Sequence, residues 1–364
     1  MLGAEEFAAW FRLLETPGIG PTTLRRLLAA CGSAPAVLSS SAAALREIGG
    51  SAAARALATP PPEFELRLQA ARTWLAGGEQ RDVLTLGDPR YPPALLQTAD
   101  PPPLLYVQGD PAWLPKPSIA IVGSRHCTPQ GQANARAFAR ALGEAGYVVV
   151  SGLALGIDAA AHEGALDGSG GTVAVVGTGL DRIYPPRNKG LAQRIADRGA
   201  LVSEFAPGMP PLAENFPKRN RIIAGLTQGT LVVEAALQSG SLITARLASE
   251  AGREVFAMPG SIHAPQSRGC HALLKQGAKL VETAQDILEE LGGGTARPPP
   301  LSAASEEPAD PLLEALGHDP VTLDALMART GWPAHELSAR LMTLELDGHV
   351  ARLPGGLYQR LFLG

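Results

Sequence analysis

Residues 215–245 read NFPKRNRIIAGLTQGTLVVEAALQSGSLITA. The run opens with clustered cations, continues through an apolar segment typical of a buried strand, and then reaches a Gly-Ser turn that begins a helical pattern. This order suits an anionic ligand, because backbone amides at a helix start and fixed positive charges converge on one place. The run therefore predicts one unit of a strand-helix fold with an anion site at its edge, and nucleic acid is the favoured anion.

The same alternation of apolar strands and amphipathic helices extends on both sides of that run. The expected strands are residues 118–123, 147–152, 172–177, 200–205, 230–234, 254–258 and 279–282, and the expected helices are residues 130–144, 158–166, 189–197, 219–226, 242–251 and 270–276. Continuous Val, Ile and Ala strands that alternate with helices predict a parallel sheet covered on both faces. The fold class is therefore α/β, with an extended Rossmann-like parallel sheet core in residues 63–291, and such sheets bind ligands at the carboxyl ends of their strands.

Residues 1–62 predict a separate helical domain of the helix-hairpin-helix, or SAM-like, type. One hairpin turns at Gly18 and Gly20, and a second turns near residues 48–50. Glycine favours such turns, and in many helix-hairpin-helix proteins the glycine amides also hold a DNA phosphate. A helical bundle that uses glycine only to turn explains the pattern equally well, so both alternatives stay open. A Pro-rich loop at residues 59–63 marks the expected boundary.

The pattern beyond that boundary is less regular. Residues 64–76 predict one more helix and residues 83–86 a short strand. The prolines between residues 91 and 106 predict an extended path without regular structure, because they restrict the backbone and cannot donate hydrogen bonds. Residues 292–310 are mostly Gly, Pro, Ser and Ala, which predicts a linker.

Residues 311–364 predict a C-terminal winged-helix domain. Its expected elements are helices at residues 322–330 and 333–346 and a hairpin at residues 349–358. The second helix carries Glu336, Glu345 and Asp347 against the single Arg340. A helix that reads the major groove of DNA is normally more basic, so this composition favours a protein-binding or accessory role.

The composition is that of a globular chain with more than one domain. It has 364 residues, 45% of them hydrophobic, and a net charge of −4, so any nucleic-acid surface must be a local patch. Cys31, Cys127 and Cys270 lie far apart, which argues against a disulfide framework and favours a reducing, cytoplasmic location. The first residues lack a secretory pattern, and no apolar run approaches the roughly 20 residues of a membrane span, so no span is expected.

Two loops that follow expected strands carry candidate functional residues. In the first, Gly123 lets backbone approach a ligand, Ser124 can donate a hydrogen bond, and Arg125 can donate two hydrogen bonds to a phosphate. In the second, Asp158 and His162 lie one helical turn apart. A helix-capping aspartate and a structural histidine are favoured there over an acid-base pair, because such caps are common.

The sequence contains no complete cofactor motif. The run GTGLD at residues 177–181 lacks the third glycine of a dinucleotide fingerprint, and Pro185 and Pro186 follow where the phosphate-binding helix should begin. A GxxxxGK[ST] loop is absent, and the histidines have no paired metal-ligand spacing. No catalytic residue, metal or other cofactor is therefore predicted.

The FPKRN run offers both halves of a single-strand site. Phe216 supplies a ring on which a base can stack, and Lys218 and Arg219 supply cations for the nucleic-acid backbone. A Phe216 that belongs to the core, with the cations on the surface, fits these residues equally well.

Several long motifs, in order, resemble one family. The runs IAIVGSR, SGLALGIDAAAH, AVVGTGLDRIYPPRN, FPKRNRIIAGL, LVVEAALQSGSLITARLASEAGREVFAMPG and LLKQGA, within residues 85–290, are similar to the DNA-processing protein A (DprA/Smf) family. The resemblance implies a protein that binds single-stranded DNA in natural transformation and recombination, protects incoming DNA, helps to load the recombinase RecA and is not an enzyme. It also implies a homodimer through the Rossmann-like domain, and it leaves open whether the flanking domains bind double-stranded DNA.

The matched motifs imply DNA contacts in the GSR loop, the FPKRN run and the Ser-Gly-Ser turn. The implied contact residues are Gly123, Ser124, Arg125, Phe216, Lys218, Arg219, Asn220, Ser239, Gly240 and Ser241.

An enzymatic alternative comes from the same Rossmann superfamily. The run QGTLVVE at residues 228–234 resembles the end of the PGGxGTxxE motif of phosphoribohydrolases, which process nucleotides. In this alternative Glu234 polarises a ribose and Arg221 holds a phosphate. Residues 224–226 read AGL where the PGG run should be, which departs from that motif.

Overall fold

The computed structural model describes residues 2–78, 80–292, 310–317 and 320–361. The predicted linker therefore lies almost entirely outside the described residues. Within the described part of the chain, no helix combines the length and the apolar character needed to cross a membrane.

The chain begins with a group of helices. They are α1 Ala4–Glu15, α2 Pro21–Cys31, α3 Ala34–Ser39, α4 Ala42–Leu57 and α5 Phe64–Ala76. The first predicted hairpin is the α1–α2 turn, where Gly18 has a φ of 85°. The second is a break inside α4 at Gly50, whose φ of 87° is a conformation that glycine adopts without steric cost. The helix α3, which begins after the Ser33 cap, was not predicted.

The central part of the chain alternates strands and helices. Its elements are β1 Arg81–Thr85, α6 Pro93–Leu96, β2 Leu104–Gly109, β3 Ser118–Val122, α7 Pro129–Glu144, β4 Val148–Ser151, α8 Ile157–Asp167, β5 Thr172–Val175, α9 Lys189–Arg198, β6 Ala200–Ser203, α10 Asn215–Leu226, β7 Gly229–Val232, α11 Ser241–Glu250, β8 Glu254–Ala257, α12 Arg268–Lys275, β9 Lys279–Leu280 and α13 Ala284–Glu290.

These strands form one nine-stranded sheet in the order β1-β2-β6-β5-β4-β3-β7-β8-β9. The seven strands from β6 to β9 are parallel, as predicted, and every residue of β3 to β7 is buried. Alternate residues face opposite sides of the sheet. Val149 belongs to the same buried cluster as Phe138 of α7, whereas its neighbour Val150 belongs to the cluster of Ile222 of α10.

The prediction of an irregular path is wrong at the short helix α6 and at the strand β2. The strand β2 pairs antiparallel with both β1 and β6, and residues 104–107 are buried. The run of prolines ends at Pro103, directly before the strand, so the ladder loses no hydrogen-bond donor. The extended path that the prolines impose thus leads into a strand of the sheet.

The N-terminal helices share their core with the edge of this sheet. Phe7 of α1 packs edge-on against Tyr106 of β2, with ring centroids 6.5 Å apart, and Trp74 of α5 meets the same tyrosine at 6.0 Å. Leu201 of β6 lies in the same continuous cluster. The boundary predicted at residues 59–63 therefore separates segments of sequence that pack into one core.

The C-terminal residues form the predicted winged helix. Its elements are α14 Pro311–Leu316, β10 Val321–Thr322, α15 Leu323–Thr330, α16 Ala334–Leu346, β11 Val350–Leu353 and β12 Leu357–Arg360. The strands form an antiparallel sheet in the order β10-β12-β11. The unit has its own core, which includes Leu312, Leu326, Leu337 and Leu341.

Candidate nucleic-acid interface

A cleft of about 720 Å³ opens at the carboxyl edge of the parallel sheet. Its walls come from the loop after β3, the first half of α10 and the turn before α11. The loop after β3 and the turn before α11 are adjacent because β3 and β7 pair in parallel and end at the same edge, and α10 packs against α11. All the predicted contact residues line the cleft except Lys218.

Gly123 is required by packing, whereas the sequence suggested close approach of a ligand. A Cβ atom at this position would lie 2.7 Å from Ile157 Cγ1 and 2.9 Å from the Glu234 carbonyl oxygen. The next residue is also fixed, because the Ser124 amide donates to the Glu234 carbonyl at 2.7 Å. The loop is thus held against α8 and the end of β7, and this holds Arg125 at the rim.

Arg125 and two aromatic rings form one wall of the cleft. The Arg125 guanidinium carbon lies 5.7 Å from the centroid of the Phe216 ring, and the Tyr184 ring lies 5.7 Å from Phe216 at 42°. Arg125 is exposed, and among the described residues no carboxylate forms an ion pair with it. Phe216 is half-buried, so it belongs to the cleft wall and the core alternative is wrong.

Tyr184 is a cleft residue that the sequence reasoning missed. Its side chain is 43% exposed. The YPP run follows β5, whose carboxyl end lies at the same edge of the sheet as those of β3 and β7. The position of this run after a parallel strand could have identified Tyr184 as a site candidate. Pro185 and Pro186 were instead interpreted only as evidence against a dinucleotide site.

Arg219 is buried, although the sequence predicted that it would contact the nucleic-acid backbone. It is 5% exposed, and Nη1 donates to the carbonyl of Gly152 at 2.6 Å and to that of Val175. Burial lowers its pKa to about 10, with Asp158 acting in the opposite direction, so the guanidinium remains charged at neutral pH. Arg219 thus places a fixed positive charge in the floor of the cleft, where its hydrogen bonds go to the protein backbone.

Asp158 and His162 are structural residues with separate partners. The Asp158 carboxylate accepts from the amides of Gly152 at 3.1 Å and Ala154 at 3.3 Å, in the loop before α8. It therefore braces the preceding loop. The sequence had predicted that Asp158 caps α8, but that helix begins without a side-chain cap. Burial raises the pKa of Asp158, and the charge of Arg219 opposes that rise. His162 Nδ1 lies 2.7 Å from Thr172 Oγ1, which confirms the expected structural histidine.

Lys218 lies outside the cleft. It is exposed, and its Nζ is 3.9 Å from a carboxylate oxygen of Glu214, one turn earlier in the chain. The prediction grouped Lys218 with Phe216 because the two are close in sequence. On a helix, residues two positions apart point in different directions, and this separates them.

The Ser-Gly-Ser turn presents the start of α11 to the cleft. The hydroxyl oxygens of Ser239 and Ser241 are 2.6 Å apart, and Asn220 Nδ2 donates to the Gly240 carbonyl at 3.4 Å. The helix begins at Ser241 without a side-chain cap. The N-terminal end of a helix carries partial positive charge, which favours an anion in the cleft.

The two residues of the enzymatic alternative already have protein partners. Both carboxylate oxygens of Glu234 accept from Thr128, one from its amide at 2.9 Å and the other from its hydroxyl at 2.5 Å. Arg221 forms ion pairs with Asp100 and Glu204. Neither residue lines the cleft, which weighs against a role on ribose or phosphate.

Comparison with protein families gives matches over three parts of the chain. Residues 82–292 match the family described as DNA recombination-mediator protein A. Residues 4–63 match a DprA-like N-terminal HHH domain, and residues 296–356 match a DprA winged helix domain.

Individual proteins and structures show the same similarity. The chain is 47% identical over 281 residues to Protein Smf of Escherichia coli (strain K12), covering 74% of this chain and 75% of that protein. The X-ray structure of DNA processing protein A from Streptococcus pneumoniae superposes with a TM-score of 0.68 at 38% identity, covering 78% and 97% of the two chains. A structure of DNA processing protein A from Helicobacter pylori, described for its single-stranded DNA binding mode, gives 0.53 at 34% identity, covering 58% and 95%.

Proposed function

The chain belongs to the DNA recombination-mediator protein A family, and from this premise we propose that its cleft binds single-stranded DNA. The observation that carries the proposal is the cleft wall in which Arg125 and Tyr184 flank the half-buried Phe216 ring. The similar Helicobacter pylori protein, described for single-stranded DNA binding, supports the same assignment.

The wall suits unpaired bases. An aromatic side chain stacks on the face of a base, and this contact contributes roughly 1 to 3 kcal/mol per base. In a duplex both faces of a base are already stacked, so access to Phe216 and Tyr184 selects a single strand. The two rings therefore favour single-stranded over double-stranded DNA without recognising particular bases.

Three sources of positive charge suit the phosphates of that strand. Arg125 offers a guanidinium that can donate two hydrogen bonds, Arg219 contributes a buried charge, and α11 contributes its N-terminal dipole. The net charge of the whole chain is −4, so this attraction is local to the cleft.

The more specific roles are proposed on family membership. We infer that the protein protects incoming single strands in natural transformation, helps to load RecA, acts as a homodimer through its Rossmann-like domain and catalyses no reaction. The protein partners of Glu234 and Arg221 support the non-enzymatic assignment. Contact of the flanking domains with double-stranded DNA stays a further prediction.

The test is a titration of a fluorescein-labelled oligothymidylate by anisotropy at several salt concentrations. Arg125→Ala is expected to weaken binding by about tenfold and to lower the slope of log affinity against log salt by about one, because one phosphate contact is lost. Phe216→Ala is expected to weaken binding by about tenfold with little change of slope, because stacking is not ionic.

The matched control is Arg140→Ala, which removes the same charge from an exposed site on α7, where Arg140 forms an ion pair with Glu144. It should retain the affinity of the unmodified protein. If the double variant Arg125→Ala, Phe216→Ala also retained that affinity, the proposed site would be wrong.

A further inference from the structure

The DNA-binding helix α10 is anchored to the loop before β2 by an ion-pair network. Arg221 of α10 donates from Nη1 to the Asp100 carbonyl at 2.6 Å, and its Nε lies 3.3 Å from Asp100 Oδ2. The Nη2 atom pairs with Glu204, which follows β6. Arg221 is absent from the cleft lining, whereas Phe216, Arg219 and other residues of the same helix line it. The network thus holds the side of α10 that faces away from the cleft.

The same aspartate is held by the N-terminal helices. Arg25 of α2 places Nη1 2.6 Å from Asp100 Oδ1 and also donates to the carbonyls of Pro101 at 3.3 Å and Ala99 at 3.5 Å. The two carboxylate oxygens of Asp100 are therefore divided between α2 and α10. An unbroken path of contacts runs from the N-terminal helices to the DNA cleft.

Two features make this path more than a pair of surface contacts. The side chains of Arg25, Arg221 and Glu204 are 24%, 22% and 14% exposed and that of Asp100 is 42% exposed, and charges connected in a network contribute more than isolated exposed pairs. The loop that carries Asp100 continues into Pro101, Pro102 and Pro103. Because proline restricts the backbone, the loop around Asp100 has few alternative conformations.

We propose that Arg25 and Asp100 are positioning residues of the DNA cleft, through which the N-terminal helices set the placement of α10 and hence the affinity for single-stranded DNA. The inference rests on the proposed function of the cleft. Loss of Arg25 leaves Asp100 held from one side only, so Arg221 and the first half of α10 can shift. The Phe216 ring then moves relative to Arg125, which belongs to a different loop, and the wall fits a base less well.

The experiment compares Arg25→Ala with Arg26→Ala in the full-length protein, using the same oligothymidylate titration. Arg26 is the neighbouring exposed arginine of α2, and its Nη2 donates to the Ile48 carbonyl within the N-terminal helices. Arg25→Ala is expected to weaken binding by about three- to tenfold, and Arg26→Ala to leave it unchanged. The salt slope should stay unchanged in both, because Arg25 contacts no phosphate. Arg25→Lys should recover part of the loss.

Two further measurements separate positioning from a general loss of stability. Amide hydrogen exchange, measured without DNA, should become faster in α10 of Arg25→Ala and remain unchanged in α7. The effect of Arg25→Ala on affinity should also disappear in an Arg221→Ala background, because the path is already broken there.

Three outcomes would overturn the inference. Unmodified affinity in Arg25→Ala would show that the network does not act on the cleft. A salt slope lowered by about one would assign Arg25 to a direct phosphate contact. Losses that add independently in the Arg25→Ala, Arg221→Ala double variant would show that the residues act separately. Absence of binding by the unmodified protein would instead contradict the proposed function. The hydrogen-exchange comparison of α10 would still test whether Arg25 positions this helix.

Discussion

Phe216 and Arg219 lie three positions apart on α10, and the structure contradicts the exposure expected for Arg219 but not that expected for Phe216. The aromatic ring is half-buried in the cleft wall, whereas the guanidinium is 5% exposed and bonded to the carbonyls of Gly152 and Val175. The sequence identified both as candidates because their residue types suit nucleic acid. It could not assign their exposure, because those carbonyls come from other parts of the chain and are brought to α10 only by the fold.

His162 leads to a prediction about pH. Burial lowers its pKa to about 3, and the charge of Arg219 acts in the same direction. The folded-state pKa is below the unfolded value of roughly 6.5, so the unfolded chain takes up the proton first as the pH falls. The contribution of this residue to the free energy of unfolding is therefore complete above about pH 6.5, and about 1.5 kcal/mol of it is lost between pH 6.5 and 5.

The prediction is checked by urea unfolding of the unmodified protein and of His162→Gln at both pH values. The substitution removes only this titration, and the remaining histidines are common to both proteins. Stability of the unmodified protein should fall more steeply between the two pH values than that of the variant. Equal pH dependence would show that His162 is not held neutral in the folded state.

At the scale of elements, the close contact of α7 and α8 supports the floor of the cleft. A Cβ atom at Gly164 would lie 2.1 Å from the carbonyl oxygen of Arg136, so only glycine allows the two helices to approach this closely. The same helix α8 carries Asp158, which braces the loop at residues 152–154. The spacing of the two helices therefore contributes to the shape of the site.

Gly164→Ala is accordingly expected to lower the free energy of unfolding by about 1 to 3 kcal/mol, because the added methyl group forces the helices apart. The matched control is Gly168→Ala at the end of the same helix, where the nearest atoms would be 3.5 Å from the new Cβ. Denaturant unfolding of both variants checks this. If both changed stability equally, close packing would not be the cause.

The elements that the sequence predicted well are those with strong periodicity and clear ends. The strands β3 to β8 were expected within about two residues of their observed bounds, because their apolar runs end at glycine or polar residues. The strand β2 was missed because its leading prolines were interpreted as excluding regular structure. The helix α3 was missed because its six residues are too few to show a helical period.

At the scale of the molecule, the sequence indicated three units but could not show how the first two join. Phe7 meets Tyr106, and Arg25 meets Asp100, across long distances in the sequence. Such pairs leave no local pattern, so the shared core and the ion-pair network became visible only in the fold. The winged helix has a core of its own. The acidic residues of α16 support the proposal that this domain binds protein or has an accessory role.

The central claim is that the cleft at the carboxyl edge of the sheet holds single-stranded DNA with a base against Phe216 and Tyr184. The most direct measurement is photocrosslinking of an oligothymidylate that contains 5-iododeoxyuridine to the full-length protein, followed by mass spectrometry of the adducts. Adducts on Tyr184 and Phe216 are expected, because excited iodouracil reacts with aromatic side chains that stack on it. Adducts confined to the N-terminal helices or the winged helix, with none at the cleft, would contradict the account.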